Sequence, residues 1–283
     1  MKFGASTFIW VSPFSNNTLD LIEKVKIFGF DSIEICIEDP EVINPKIVRK
    51  ALDKAGISPI ICGAFGPNRD ISNEDKVIQN LGIDYLKTCI DYAENLGSSI
   101  VAGPMYSATG KTRLLSTEEK EKQWNLAIKN LKKVAKYALK RNIRLAIEPL
   151  NRFETDFINI VDQGLELIDR ISYGNVGLLL DTFHMNIEEK NSADAIRKAG
   201  KKLFHFHASS NDRGTPGTGQ INWKEIFFAI KDIGYNETIV IESFTPEIKE
   251  IARAVSIWRK IAEDQNTLAK EGLAFLKKSF IYI

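Results

Sequence analysis

The sequence predicts an α/β protein folded as a closed (β/α)8 barrel of the TIM-barrel class, and three observations predict it. Short apolar runs alternate with amphipathic segments eight times along 283 residues, a length that suits such a barrel. A Gly or Asn just past a helical pattern precedes several of the runs. Four late runs end in a side chain able to ligate a divalent cation, and barrel enzymes build their sites at strand C-terminal ends. A doubly wound open sheet would share the alternation, but it would place ligands at one switch point.

Strands are expected at 3–9, 32–36, 59–62, 99–102, 144–148, 176–181, 203–207 and 238–242. Helical patterns lie between them at 18–28, 45–55, 73–96, 117–140, 159–171, 193–198 and 223–233, with a last helical segment at about 247–279 broken near 264–266. Gly29, Gly56, Gly97, Asn142 and Gly234 fit helix C-termini, where a left-handed residue is needed. Thr18 and Ser116 or Thr117, each followed by acidic residues, fit N-caps. Successive β-then-α units imply a parallel sheet buried on both faces. No low-complexity tract or linker interrupts the pattern, so a single domain over 1–283 is expected.

The hydrophobic content of 44% is ordinary for a globular chain, and no apolar run is long enough to span a bilayer. Met1-Lys2-Phe3-Gly4-Ala5 leads straight into a strand-like run without a signal-peptide layout. Cys36, Cys62 and Cys89 are odd in number and lack CxxC spacing, which suits a reducing, cytoplasmic setting. Cys36 and Cys62 fall at strand ends, either as small buried hydrophobes or as neighbours of the site, and Cys62 is kept as a candidate substrate contact. A formal net charge of +1 gives no bulk field for a polyanion. The Lys-rich stretch 129–140 carries Leu131, Val134, Ala135, Ala138 and Leu139 at helical spacing, the solvated back of an amphipathic helix. Neither a nucleic acid nor a membrane is an expected partner.

Glu148, Asp181, His207 and Glu242 close four successive strands. Three carboxylates and one imidazole suit Mn²⁺, Mg²⁺, Co²⁺ or Zn²⁺, and the absence of thiolates argues against a structural zinc. Alternation turns Ala146, Leu179, His205 and Val240 inward one layer deeper. Glu34 faces inward as well, so a buried polar contact among Glu34, His205 and Arg144 is expected, unless each is satisfied separately. Glu154, six residues past Glu148, is either plain surface or a substrate contact. His184 follows Asp181 in an expected loop with Asn186, and Arg213 sits in a Gly/Pro-rich loop suited to a surface turn or to oxyanion binding. That loop lacks the GxxxxGK[ST] form of a phosphate cradle. Among Phe8, Trp10, Phe65, Tyr106, Trp124 and Phe244, the strand-end residues Trp10 and Phe244 are the expected pocket walls. Trp124 fits packing within its helix.

Three segments carry a resemblance: 147–155 (IEPLNRFET), 180–186 (LDTFHMN) and 207–219 (HASSNDRGTPGTG). They resemble the ketose 3-epimerases of the D-tagatose/D-psicose (allulose) type, in the xylose-isomerase-like barrel superfamily. The likeness runs from the first strand to Ile257-Trp258-Arg259. It implies that Glu148, Asp181, His207 and Glu242 are metal ligands, that Glu148 and Glu242 are also the acid/base pair, and that Glu154, His184 and Arg213 hold the O1–O3 end of the sugar. It further implies Mn²⁺ or a similar ion and a homodimer or homotetramer. Ser210, where many members carry Glu, and the 62–70 segment depart from the pattern and leave the preferred sugar open.

The implied chemistry is coherent. A C3–H beside a ketone becomes acidic when the enolate charge is neutralised, and inversion needs a base on one face and an acid on the other. An aldose–ketose isomerase or an inosose/keto-sugar epimerase would use the same metal site. A barrel endonuclease would need a His-rich trinuclear cluster, and the chain has three His. A non-catalytic sugar-binding barrel would bind without exchanging protons.

Overall fold

The structure, a computed structural model, describes residues 1–281. Eight strands close in chain order: β1 (Lys2–Ser6), β2 (Ser32–Ile37), β3 (Ser58–Gly63), β4 (Ile100–Gly103), β5 (Arg144–Ile147), β6 (Val176–Asp181), β7 (Leu203–Ala208) and β8 (Thr238–Ile241). Every neighbouring pair is parallel, and β1 pairs β8 to shut the ring. The expected barrel is therefore the observed one.

Helices fill the connections: α1 (Asp20–Ile27), α2 (Pro45–Ala55), α3 (Lys76–Leu96), α4 (Thr117–Leu139), α5 (Val161–Ile171), α6 (Thr182–Glu188), α7 (Ser192–Ala199), α8 (Trp223–Asp232), α9 (Lys249–Ala254) and α10 (Gln265–Ile281). Their inward stripes pack on the sheet, and the strands, buried on both sides, read as near-continuous apolar runs. Inside the ring Ile60, Ile100, Ala102, Ala146, Leu179 and Val240 form a separate apolar layer, where alternation had turned the last three. The helix-end residues also behave as expected: Gly29, Gly56, Gly97, Asn142 and Gly234 all have positive φ. Ser116 and Glu119 complete a reciprocal cap at the start of α4.

Four expectations need correction. The first strand stops at Ser6, whose hydroxyl caps a 3-10 turn over Thr7–Ile9. Ser15, not Thr18, is the cap residue ahead of α1, and it closes a capping box with Thr18. The segment after Asp181 is the short helix α6 rather than a loop, because Asp181 Oδ1 accepts from the backbone N–H of Phe183 and starts it. The last segment is not one helix with a single break: 255–264 is irregular and separates α9 from α10.

Candidate active site

Glu148, Asp181, His207 and Glu242 meet at the C-terminal mouth, each offering a ligand atom within 4.8 Å of the others. Each is placed by ordinary backbone bonding. The Glu148 N–H donates to the Gly103 carbonyl at 3.2 Å, which fixes the exit from β5 beside β4. Asp181 and His207 are register partners on β6 and β7. Ser209 Oγ donates to the Glu242 carbonyl at 3.0 Å. All four side chains are at least nine-tenths buried.

Glu34 lies beneath them, fully buried, and its Oε2 takes His205 Nε2 at 2.6 Å and His207 Nε2 at 3.0 Å. Arg144, expected to join them, does not. As the first residue of its strand it sits at the opposite end of the barrel, half-buried, paired with Glu237 at 3.1 Å. In the neutral ring, the form that ligates a cation, the Glu34 bond holds the His207 proton on Nε2 and leaves Nδ1 a lone pair. With no cation present, burial is overcome by the Glu34 and Glu242 charges, which raise the His207 pKa well above the ordinary imidazole range. Nδ1 is 3.4 Å from Glu242 Oε2 and, among the described residues, has no hydrogen-bond partner.

Electrostatics show a site short of positive charge. Burial and the neighbouring Glu242 charge push Glu148 well above the usual carboxylate range. Burial acts on Glu242 in the same direction, but His207 and Arg213 outweigh it and hold that carboxyl low. The Arg213 guanidinium touches Asp181 Oδ2 and lies 3.0 Å from Glu242 Oε2 and 2.9 Å from Ser209 Oγ. One guanidinium faces three carboxylates, and the orphaned imidazole nitrogen points into the same space. A divalent cation fits that donor set.

His184, on α6, accepts the Asn151 backbone N–H at its Nδ1, 3.1 Å away. A neutral ring so fixed carries its proton on Nε2. Arg213 Nη2, 3.2 Å from that nitrogen, is itself a donor, so the Nε2 proton stays available to an incoming oxygen. Burial, helped by Arg213, lowers the His184 pKa to about 3 and keeps the ring neutral near pH 7. Arg213 holds positive φ and is flanked by the Phe183 and Phe244 rings at 4.0 and 5.2 Å.

Above the cluster opens a cavity of about 480 Å³, lined in part by Phe8, Cys62, Phe65, Glu148, Glu154, His184, Arg213, Glu242 and Phe244. Nine of the ten sequence-nominated site residues thus face the cluster or the cavity. Trp10 is the exception: the 3-10 turn carries it outward, where Nε1 donates to Asn266 at 2.9 Å and the ring packs near Phe28. Tyr106 and Trp124 pack on Phe157 instead of walling the cavity. Cys36 is buried beside Phe8 and Phe244, in register with Cys62. Ser210 is buried next to Gly219. Sequence reasoning missed Asn151, which orients His184 and whose amide also donates to Glu154 Oε1 at 2.8 Å. It also missed Ser209, which ties Arg213 to β8. Their one signal was proximity to Glu148 and His207 in the sequence.

Comparison with known proteins agrees with this geometry. Residues 22–279 match the model of the xylose isomerase-like TIM barrel family. A Synechocystis sp. protein named "Probable ketose 3-epimerase" is 36% identical over 281 residues, covering 99% of this chain and 97% of the relative. An L-ribulose 3-epimerase from Mesorhizobium japonicum is 32% identical, covering 97% and 93%. A D-allulose 3-epimerase from Methylomonas sp., solved in complex with D-allulose, superposes with a TM-score of 0.92 at 28% identity, covering 99% and 97%. With its closed parallel barrel and its carboxylate–imidazole cluster, the chain belongs to the xylose isomerase-like TIM barrel family and, within it, to the ketose 3-epimerases, which are isomerases.

Proposed function

We propose that this enzyme inverts C3 of a free ketose of the D-tagatose, D-psicose, D-fructose or L-ribulose class, with Glu148 and Glu242 as the two proton-transfer groups. The observation that carries the reading is the convergence of those carboxylates, from β5 and β8, with Asp181 and an unpartnered His207 Nδ1. A divalent cation held there would act as a Lewis acid toward the sugar oxygens and fix the reacting carbon. The ligand set suits Mn²⁺, with Co²⁺ or Mg²⁺ as alternatives.

This chain's own groups divide the remaining work. One glutamate removes the C3 proton and the other returns one to the opposite face of a flat enediolate. His184 donates its Nε2 proton, and Arg213 its guanidinium, to oxygens that gain charge as the proton leaves. Glu154, held by Asn151, accepts from a hydroxyl at the same end of the sugar. Phe8, Phe65 and Phe244 exclude water from the reacting carbon.

The decisive experiment is NMR and product analysis in D₂O with Mn²⁺ and each of D-fructose, D-tagatose and L-ribulose. A C3-epimeric ketose with deuterium at C3 is expected. An aldose product would move the enzyme to aldose–ketose isomerisation on the same site. Binding without deuterium uptake would reduce it to a sugar-binding barrel.

A homodimer or homotetramer belongs to the same reading. Leu114 and Phe153, exposed on the loops after β4 and β5, offer apolar contact for it, and light scattering tests it. The three buried free thiols support a cytoplasmic setting. Among the described residues, no helix is long and apolar enough to cross a membrane.

A further inference from the structure

Glu38 plays no part in the chemistry above, yet it lines the same cavity. It follows β2, four residues past Glu34 and two past Cys36, so alternation aims it inward like both of them. In the closed ring β2 stands opposite β6 and is separated from β8 by β1 alone, so Glu38 lies across the mouth from Glu148 and Asp181. One of its oxygens is accounted for: Oε1 accepts the Ser12 hydroxyl at 2.5 Å. The other, Oε2, is shut off from solvent and has no hydrogen-bond partner among the described residues.

A buried carboxylate oxygen without a donor is disfavoured and needs an explanation. Burial also pushes the Glu38 carboxyl above its ordinary range, a bias that a donor from a ligand would relieve. The surrounding cations do not serve it. Arg69 donates to the backbone carbonyls of Glu38 and Ala64, at 2.6 and 2.7 Å, and lies over the Tyr85 ring. Lys111 is bound to Asp70 at 2.7 Å, and Arg213 is taken up by Asp181 and Glu242. Among the described residues that line the cavity, Arg213 is the one cation, so this end presents an acceptor without a cation in its lining.

We infer that Glu38, held by Ser12, is a specificity-determining residue that accepts a hydrogen bond from a hydroxyl on the sugar's end remote from C3 and excludes sugars carrying a phosphate there. The inference rests on the ketose-epimerase reading, because that reading seats C1–C3 at Arg213 and His184 and sends the rest of the sugar toward β2. A terminal hydroxyl supplies the missing donor once the carboxyl turns Oε2 toward the cavity that Glu38 lines. A terminal phosphate would set two like charges together with no cation between them.

The test measures kcat and KM for a free ketohexose, its 6-deoxy analogue and its 6-phosphate, in wild type, Glu38→Gln and Ser12→Ala, with thermal melts as a folding control. In wild type, kcat/KM for the 6-phosphate should fall at least about 100-fold below the free sugar, in line with sites built around a buried polar group. Glu38→Gln should raise KM for the free sugar about 10-fold with kcat within about 2-fold, the signature of lost binding contact alone. It should also narrow the free-to-phosphate ratio and remove the wild-type penalty on the 6-deoxy sugar. Unchanged KM and ratio in Glu38→Gln would overturn the inference while leaving epimerisation by the wild type standing. If Glu38→Gln does not fold, Ser12→Ala decides: a raised KM at constant kcat supports the assignment, and unaltered kinetics overturn it. A wild type inert toward every free ketose overturns both this inference and the reading beneath it.

Discussion

The two halves of the barrel mouth differ in kind. The β5–β8 half gathers Glu148, Asp181, His207, Glu242, His184 and Arg213, all buried and within contact of one another. The β1–β4 half offers Phe8, Cys36, Cys62 and Phe65, with Glu38 as its one carboxylate lining the cavity. Charges act strongly where water is excluded, so the largely apolar half makes the ionic half effective. It also shapes the space in which a sugar lies. One half supplies force and the other supplies shape and dryness.

The sharpest way to break this division is to remove the two proposed proton carriers. Glu148→Gln or Glu242→Gln should lower kcat by about 10² to 10⁴-fold, the usual worth of a positioned acid or base. Solvent deuterium should no longer enter C3, while the melting temperature is retained. Normal deuterium uptake in both variants would end their assignment as acid and base.

Next in size is the cation. Chelator-treated enzyme should lose turnover and recover it with Mn²⁺. Mn²⁺ at about 100 times its Kd should add about 2.7 kcal/mol of stability, visible as a raised Tm. A Tm indifferent to Mn²⁺, Co²⁺ and Mg²⁺ would contradict a cation site in the ionic half. Below the cluster, Glu34→Gln should weaken metal affinity about 10- to 100-fold, as loss of a ligand's supporting partner does. Calorimetric titration measures this directly, and an unchanged Kd would reduce Glu34 to packing.

The smallest effect is a pH slope in the metal-free protein. His184 has a folded pKa of about 3, below the ordinary histidine value of 6.5. Between those values the unfolded chain binds more protons, so stability is full above pH 6.5 and is lost as pH falls toward 3. The slope reaches about 1.4 kcal/mol per pH unit for one proton. Denaturant titrations from pH 7 to 4 should show it, diminished in His184→Gln. An equal slope in the variant would assign it to the carboxylates.

Much of this was legible in the sequence because the signals are periodic. Two-residue alternation carries Glu148, Asp181, His207 and Glu242 inward together, and a Gly or Asn at five helix ends marks where strands begin. The failures come where a local bond overrides the pattern. Ser6 caps a turn within what reads as a continuing strand, and that turn takes Trp10 to Asn266. Arg144 reads by residue type as a partner for Glu34, although the start of a strand lies a whole barrel length from the mouth. Helix α6, seven residues long, is too short for its spacing to show, so His184 reads as a loop residue. In the string Glu-Asp-Pro nothing separates Glu38 from a surface acid. Its role depends on Ser12, 26 positions away.

The pairing of β1 with β8 has a consequence for how the protein is made. Chains emerge from the ribosome N-terminus first, and all four residues proposed to hold the ion lie beyond residue 147, the last of them at 242. A nascent chain short of β8 holds an incomplete coordination set on an open, unsealed sheet. On the proposed ligand set, acquisition of the ion follows translation of the final strand, which would make metal loading a late maturation step instead of a folding nucleus.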